Sequence, residues 1–273
     1  MNLQESIRKA YELYWRGSKD GEKSLSNAEA CMNFFGTQTR EFDWTPLKIQ
    51  ENLQGYAQWM KKKGLSNGTV NRRVSALRTA LKAGGVSTEW SPLKEAKPRQ
   101  EVLTARQEVD LLVGAEHRHG RAYRELLEFL LDTGCRLSEA LSLRWADFHS
   151  VGDNARVSFR DTKNGSDRHV PLTQRAKAAV WAAQSLDATF DTVGPFSSWT
   201  VSRVDHKFRE LGLRADLVPH SLRHTCATRL VERGVPLNVV QKWMGHKSIA
   251  VTMRYAHASD DGLMAAAKTL EKL

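Results

Sequence analysis

Cysteine is scarce in this chain: Cys31, Cys135 and Cys226 are all there are in 273 residues. Three is a small and odd number, and their spacing fits no zinc site. Neither a disulfide framework nor a metal-folded module is expected, and the thiols read as reduced. Cys135 and Cys226 read as small buried hydrophobes. Long apolar runs are also missing, since none approaches the roughly 20 residues that a transmembrane helix needs. The opening MNLQESIRKAYELYW lacks the charged-then-apolar order of a secretory signal. A cytoplasmic protein without membrane contact is therefore expected. There is no internal repeat and no low-complexity tract.

Positive charge is what the chain has in excess. Lys and Arg number 41 against 31 Asp and Glu, which leaves a net charge of +10. A surplus of that size favours a polyanionic partner, nucleic acid being the commonest. The length suits two domains better than one. In the first part, Ile7, Ala10, Tyr11 and Tyr14 recur at helical spacing, as do Ile49, Leu53, Tyr56, Ala57 and Met60. Ser66 caps a third helix through Val70, Val74, Leu77 and Leu81 that stops at Gly84-Gly85, with Arg72, Arg73, Arg78 and Lys82 on its other face. The stretch 89–100, EWSPLKEAKPRQ, has two prolines and no periodicity, and reads as a linker between domains 1–88 and 101–273. Thr104 caps the first helix of the second part. Residues 156–160 and 168–172 alternate like two strands around Asn164-Gly165, and helices follow from Thr173. The fold class is thus mainly α with a small β-hairpin or sheet in the second domain.

Four segments carry chemistry: TGCRLSEALSLRW, DTKNGSDRHVPL, PHSLRHTCATRL and MGHKSIAVTMRYAH. They supply Arg136, Lys163, His220, Arg223, His246 and Tyr255. Guanidinium groups stay ionised and donate paired hydrogen bonds, which suits the charge that grows on phosphate oxygens under attack. A lysine can protonate a leaving alkoxide, and a tyrosine hydroxyl can act as nucleophile if cationic neighbours lower its pKa and a histidine accepts its proton. Each motif alone has an ordinary explanation. Arg136 can pair with Glu139 on one helix face. Lys163 can be a solvated turn lysine, His220 a hydrogen-bonded histidine at a helix start, and Tyr255 a tyrosine with a wet hydroxyl. His224, four residues after His220, reads as structural. The intervening Ser-Leu-Arg has no glutamate base, unlike a zinc protease.

Taken together and in this order, the motifs resemble those of the tyrosine recombinase family, also called the phage integrase family. The resemblance covers Glu101 to about Ala258, and more loosely GLSNGTVNRRVSALRTAL, which looks like the family's helical, SAM-like core-binding domain. It implies a two-domain, C-shaped DNA clamp that needs neither metal nor other cofactor. It further implies that Tyr255 links covalently to a 3′ phosphate, that Arg136 and Arg223 clamp the phosphate, and that Lys163 is general acid. His220 would accept a proton, His246 would donate a hydrogen bond to phosphate, and Glu139 would orient the site.

The implied partner is double-stranded DNA. A monomer when free, a homotetramer on paired sites and accessory DNA-bending or directionality proteins would complete the system. Arg72, Arg73, Arg78, Lys82, Arg160, Arg203 and Lys207 are the candidate DNA contacts. The chain reads first as an integrase of a phage or mobile element, and second as an Xer-type dimer resolvase. A type IB topoisomerase shares the chemistry. A non-catalytic DNA-binding regulator is the alternative of another class. A metal-dependent nuclease requires clustered carboxylates, and none accompanies these motifs.

Overall fold

A computed structural model describes residues 3–18, 20–35, 46–95, 101–149, 154–160, 167–186, 194–214 and 216–256. The chain falls into two compact units, Met1–Pro98 and Arg99–Leu273. The first is helical among its described residues: α1 (Leu3–Ala10), a π-helical turn (Tyr11–Trp15), α2 (Gly21–Glu29), α3 (Met32–Phe35), α4 (Pro46–Lys62) and α5 (Asn67–Ala83). Helix α4 buries Ile49, Leu53, Tyr56, Ala57 and Met60, and α5 buries Val70, Val74, Leu77 and Leu81, as their spacing predicts. Ser66 has extended backbone and its hydroxyl accepts from the Thr69 amide, so α5 starts at a built cap.

Two features of this unit depart from the sequence reading. Helical spacing puts Tyr14 inside, but the π turn delays the following residue's phase. Tyr14 is 50% exposed and Trp15 takes the core position at 8%. The described part of the proposed linker, residues 89–95, lies on this unit. Asn71 accepts from the Leu93 amide and donates to the Leu93 carbonyl, and Asn67 donates to the Lys94 carbonyl. Trp90 and Leu93 pack against the helical core.

The second unit is built around α7 (Arg121–Thr133), after α6 (Ala105–His119). Thr104 and Gln107 form the reciprocal cap of α6: the Thr hydroxyl accepts from the Gln107 amide, and the Gln side chain accepts from the Thr104 amide. Tyr123, Leu126, Leu127, Phe129 and Leu130 make α7 buried almost all round. Helix α8 (Leu137–Leu141) is followed by an antiparallel meander of β1 (Phe148–His149), β2 (Arg156–Phe159) and β3 (Arg168–Pro171), with Val157 opposite Val170 and Phe159 opposite Arg168. Strand β1 adds two residues to the expected hairpin. Helices α9 (Gln174–Leu186), α10 (Val201–Glu210), α11 (Pro219–Glu232), α12 (Leu237–Met244) and α13 (Ile249–Thr252) follow, and a 3-10 turn, Met253–Tyr255, ends the described chain.

Charge as well as apolar contact ties these helices together. Arg175 of α9 pairs with Asp132 of α7 and, at 2.6 Å, with Glu108 of α6, which also pairs with Arg229 of α11. Burial alone would raise the Glu108 pKa, but its bonds to Arg175 and Arg229 outweigh that and lower it. The three thiols are free and buried, and burial pushes each up to about 12. No described helix is long and apolar enough to cross a membrane.

The π turn yields a stability test. Trp15→Ala should lower the unfolding free energy of the first unit by about 3–5 kcal/mol. Tyr14→Ala should stay within about 0.5 kcal/mol of the parent. Urea denaturation of both variants checks this, and a larger loss from Tyr14→Ala would mean that the helix continues unbroken.

Candidate active site

Arg136 is the residue before α8, with extended backbone (φ −71°, ψ 147°). The Glu139 carboxylate accepts from its backbone amide at 2.7 Å and from its guanidinium at 2.6 Å. The salt bridge foreseen from the spacing thus exists, and half of the Arg136 side chain still faces solvent. Glu139 has a second cationic partner. Arg168 of β3 donates to both carboxylate oxygens, at 3.1 and 2.6 Å, and to the Trp243 carbonyl at 3.2 Å. Its guanidinium lies 4.4 Å from the Phe159 ring centre. Burial would raise the Glu139 pKa, but paired bonds from Arg168, and then Arg136, hold it at about 2. Gly245 makes room for this arginine: a Cβ there would stand 2.9 Å from the Arg168 Cδ, and its φ of +65° is itself a glycine conformation.

Arg223 on α11 is 3% exposed. It donates to the Gly134 carbonyl at 2.6 Å and to the Met244 carbonyl at 2.5 Å. These carbonyls close α7 and α12, where helix ends leave acceptors unpaired. Two of its five N–H donors are used in this way. Burial, then repulsion from Arg136, brings its pKa down to about 10, so it remains a cation at neutral pH. Among the described residues, no carboxylate pairs with it. His220, one turn earlier on the helix, is shifted down by burial and by Arg223 and Arg136.

His246 follows the left-handed Gly245 that ends α12. Its Nδ1 faces the buried Thr252 hydroxyl at 2.9 Å. Burial, then Arg223, Arg136 and Arg168, hold it at about 4, so its imidazole is neutral at pH 7. Its ring lies parallel to that of Tyr255, with centres 6.3 Å apart. Tyr255 is 4% exposed and packs on Ala227, Val240 and Met244. Its hydroxyl is 2.7 Å from Nδ1 of His224. The expectation that cations lower the tyrosine pKa is corrected here: Arg223 and Arg254 do pull it down, but burial dominates and raises it.

The structure thus gathers Arg136, Glu139, His220, Arg223, His246 and Tyr255 around one region. An open cleft of about 710 Å³ borders it, lined in part by Arg136, Arg168, Trp243 and His246. Lys163 lies outside the described residues, as do residues 257–273. Arg168 and His224 are the two site residues that the sequence reading did not assign. Arg168 stands two residues before the buried Val170 and so falls on the same, inner face of its strand, where a charge demands a partner. His224 shares a helix face with His220.

The candidate DNA contacts differ in how free they are. Arg72 and Lys82 are exposed on α5, while Arg78 is half-buried and donates to the Thr88 side chain and carbonyl. Arg73 is half-buried beside them. Arg160 pairs with Asp147 at 2.6 Å, Arg203 lies over the Trp199 ring, and Lys207 is bonded to His119 at 3.1 Å.

A helical unit with a three-stranded meander thus brings arginines, histidines and a buried tyrosine to one site, side chains of the kinds that phosphoryl transfer uses. Residues 101–261 match the model of the phage integrase family. The chain is 30% identical over 222 residues to tyrosine recombinase XerC of Pelobacter propionicus, covering 73% of this chain and 72% of that protein. It is 28% identical over 281 residues to the integrase of Escherichia phage 186, covering 97% and 80%. In fold it is similar to the Tn1549 transposon integrase in complex with circular intermediate DNA, with TM-score 0.74, 19% identity, and 99% and 100% of the two chains covered. It is also similar to a lambda integrase tetramer bound to a Holliday junction, with TM-score 0.73, 19% identity, and 94% and 78% covered. The chain belongs to the phage integrase family, the tyrosine recombinases, enzymes that cut and rejoin DNA.

The Glu139 carboxyl titrates in the folded protein at about 2 rather than 4.5. Its contribution to stability is therefore complete above 4.5 and is lost as pH falls through about 2. Glu139→Gln should cost roughly 3 kcal/mol at neutral pH, because two guanidinium groups lose their counter-charge. The gap to the parent should narrow as pH falls across that window. Urea denaturation at several pH values checks this, and a constant gap would contradict it.

Proposed function

We propose that this site-specific recombinase is an integrase of a phage or mobile element, and that it cuts each DNA strand through Tyr255. The observation that carries the reading is the placement of the Tyr255 hydroxyl among His224, His246 and Arg223. In this reading Arg136 and Arg223 clamp the phosphate, and donors aimed in advance stabilise the charge that develops on its oxygens. His246 donates from Nε2 in the tautomer whose Nδ1 accepts from the Thr252 hydroxyl. Glu139 orients Arg136. Lys163 protonates the departing 5′ oxygen. The 3′-phosphotyrosine stores the energy of the broken bond, so a 5′ hydroxyl from a partner strand reverses the step without ATP.

The integrase role rests on extent of similarity: the phage 186 integrase aligns with 97% of this chain and the XerC protein with 73%. An Xer-type dimer resolvase is the second reading, favoured by the higher identity of that XerC match, 30% against 28%. Both assign the same chemistry to the same residues. A free monomer, a tetramer on paired sites, help from DNA-bending or directionality proteins and a cytoplasmic location complete the proposal. In it the helical first unit binds the duplex through Arg72, Arg73, Arg78 and Lys82, and the second through Arg160, Arg203 and Lys207.

With a duplex nicked beside the cleavage point and a metal chelator present, the parent should form a covalent protein–DNA product and Tyr255→Phe none. A product that survives the substitution would remove Tyr255 from its role. DNA affinity should fall by about 10³-fold or more between roughly 50 and 200 mM salt, as expected for six or more phosphate contacts. Affinity that is flat across that range would contradict the proposed cationic surface.

A further inference from the structure

Tyr255 has one hydrogen-bonded side chain at its hydroxyl among the described residues, and that side chain is His224. The family resemblance points instead to His220 as proton acceptor. His220 lies edge-on against the His224 ring, with centres 4.7 Å apart, one ring further from the tyrosine. Proton transfer requires a donor and acceptor within hydrogen-bond reach, about 2.6–3.2 Å. The 2.7 Å contact of His224 meets that requirement. In the tautomer with its proton on Nε2, Nδ1 offers a lone pair to the phenol.

We propose that His224 takes the proton from Tyr255 as the tyrosine attacks, a role that rests on Tyr255 being the nucleophile. The Oη–H bond breaks and its proton passes to Nδ1 of His224. Oη forms a bond to phosphorus, the bond from phosphorus to the 5′ oxygen breaks, and that oxygen leaves with a proton from Lys163. His224 ends this half-reaction as an imidazolium. It returns the proton to Tyr255 when a 5′ hydroxyl attacks the phosphotyrosine.

The surroundings make this base responsive to substrate. The charged and titratable groups facing His224 are His220 and Arg223 on its own helix, Arg254 and Tyr255 in the 3-10 turn, and His246 after α12. Burial, then His220, Arg223 and Arg254, hold its pKa at about 4 without DNA. Its imidazole is then neutral and a weak base, while burial keeps the phenol protonated. A phosphodiester bound to Arg223 brings negative charge beside these cations and stabilises the imidazolium. The nucleophile is thus armed when a phosphate arrives.

The test is single-turnover cleavage of nicked duplex by the parent, Tyr255→Phe and His224→Gln, across pH. Gln can accept a hydrogen bond but cannot carry the proton. His224→Gln should bind DNA normally and cleave about 10²–10⁴-fold more slowly at neutral pH. The deficit should shrink as pH rises and hydroxide replaces the base. It should shrink also when position 255 carries 3,5-difluorotyrosine, whose phenol is more acidic. A deficit unchanged by either would mark a merely structural role, and cleavage within about 3-fold of the parent would show no base role; either overturns the proposal. If Gln disturbs folding, His224→Ala with added imidazole decides: recovered cleavage supports the proposal, and none overturns it. A parent that forms no covalent product would overturn the nucleophile reading and this proposal with it. A covalent product lost in Tyr255→Phe but unimpaired in His224→Gln would overturn this proposal alone.

Discussion

Three guanidinium groups stand close together with too little negative charge to neutralise them, and the rest of the catalytic unit is arranged around that imbalance. Arg136 and Arg168 share the carboxylate of Glu139, and Arg223 has only the carbonyls of Gly134 and Met244 among the described residues. Like charges so placed disfavour each other. Burial first, and then Arg136, lower the pKa of Arg223. A phosphodiester supplies the missing anion. The cost of assembling the cations falls on folding, and binding recovers part of it, because the donors need little rearrangement when the phosphate arrives.

Holding such a cluster takes rigid supports. Helix α11 carries His220, Arg223 and His224 and is fixed on its other sides. Thr225 accepts from the Leu103 amide, and Arg229 pairs with Glu108. The end of α7 must come close to α11 and α12 for its carbonyl to reach Arg223. Gly134 permits this, since a Cβ there would lie 2.9 Å from the sulfurs of Cys226 and Met244. The indole of Trp243 donates to the Thr133 carbonyl and locks α12 to the same corner. The cysteines earn their place by packing here, consistent with thiols whose burial keeps them protonated.

Much of this was legible in the sequence. Ser66 and Thr104 announced two helix starts, Gly84 a stop, and the alternation around 156–160 and 168–172 a pair of strands. What escaped was decided by tertiary context. The π turn at 11–15 moves Trp15 inward and Tyr14 outward, which spacing alone cannot foresee. Residues 89–95 lack periodicity, yet the side chains of Asn67 and Asn71 hold them to α5. The partnership of Arg168 with Glu139 spans 29 positions, and that of His224 with Tyr255 spans 31, beyond the reach of local pattern. The direction of the tyrosine pKa depended on how deeply the ring is buried.

The most direct test of the charge account replaces the charge on the substrate rather than on the protein. Single-turnover cleavage by the parent and Arg223→Ala would be compared on a natural scissile phosphodiester and on a neutral methylphosphonate at the same position. If the arginine acts by meeting phosphate charge, its loss should cost orders of magnitude on the first substrate and far less on the second. An equal loss on both would contradict the account and leave Arg223 as a strut between two helix ends.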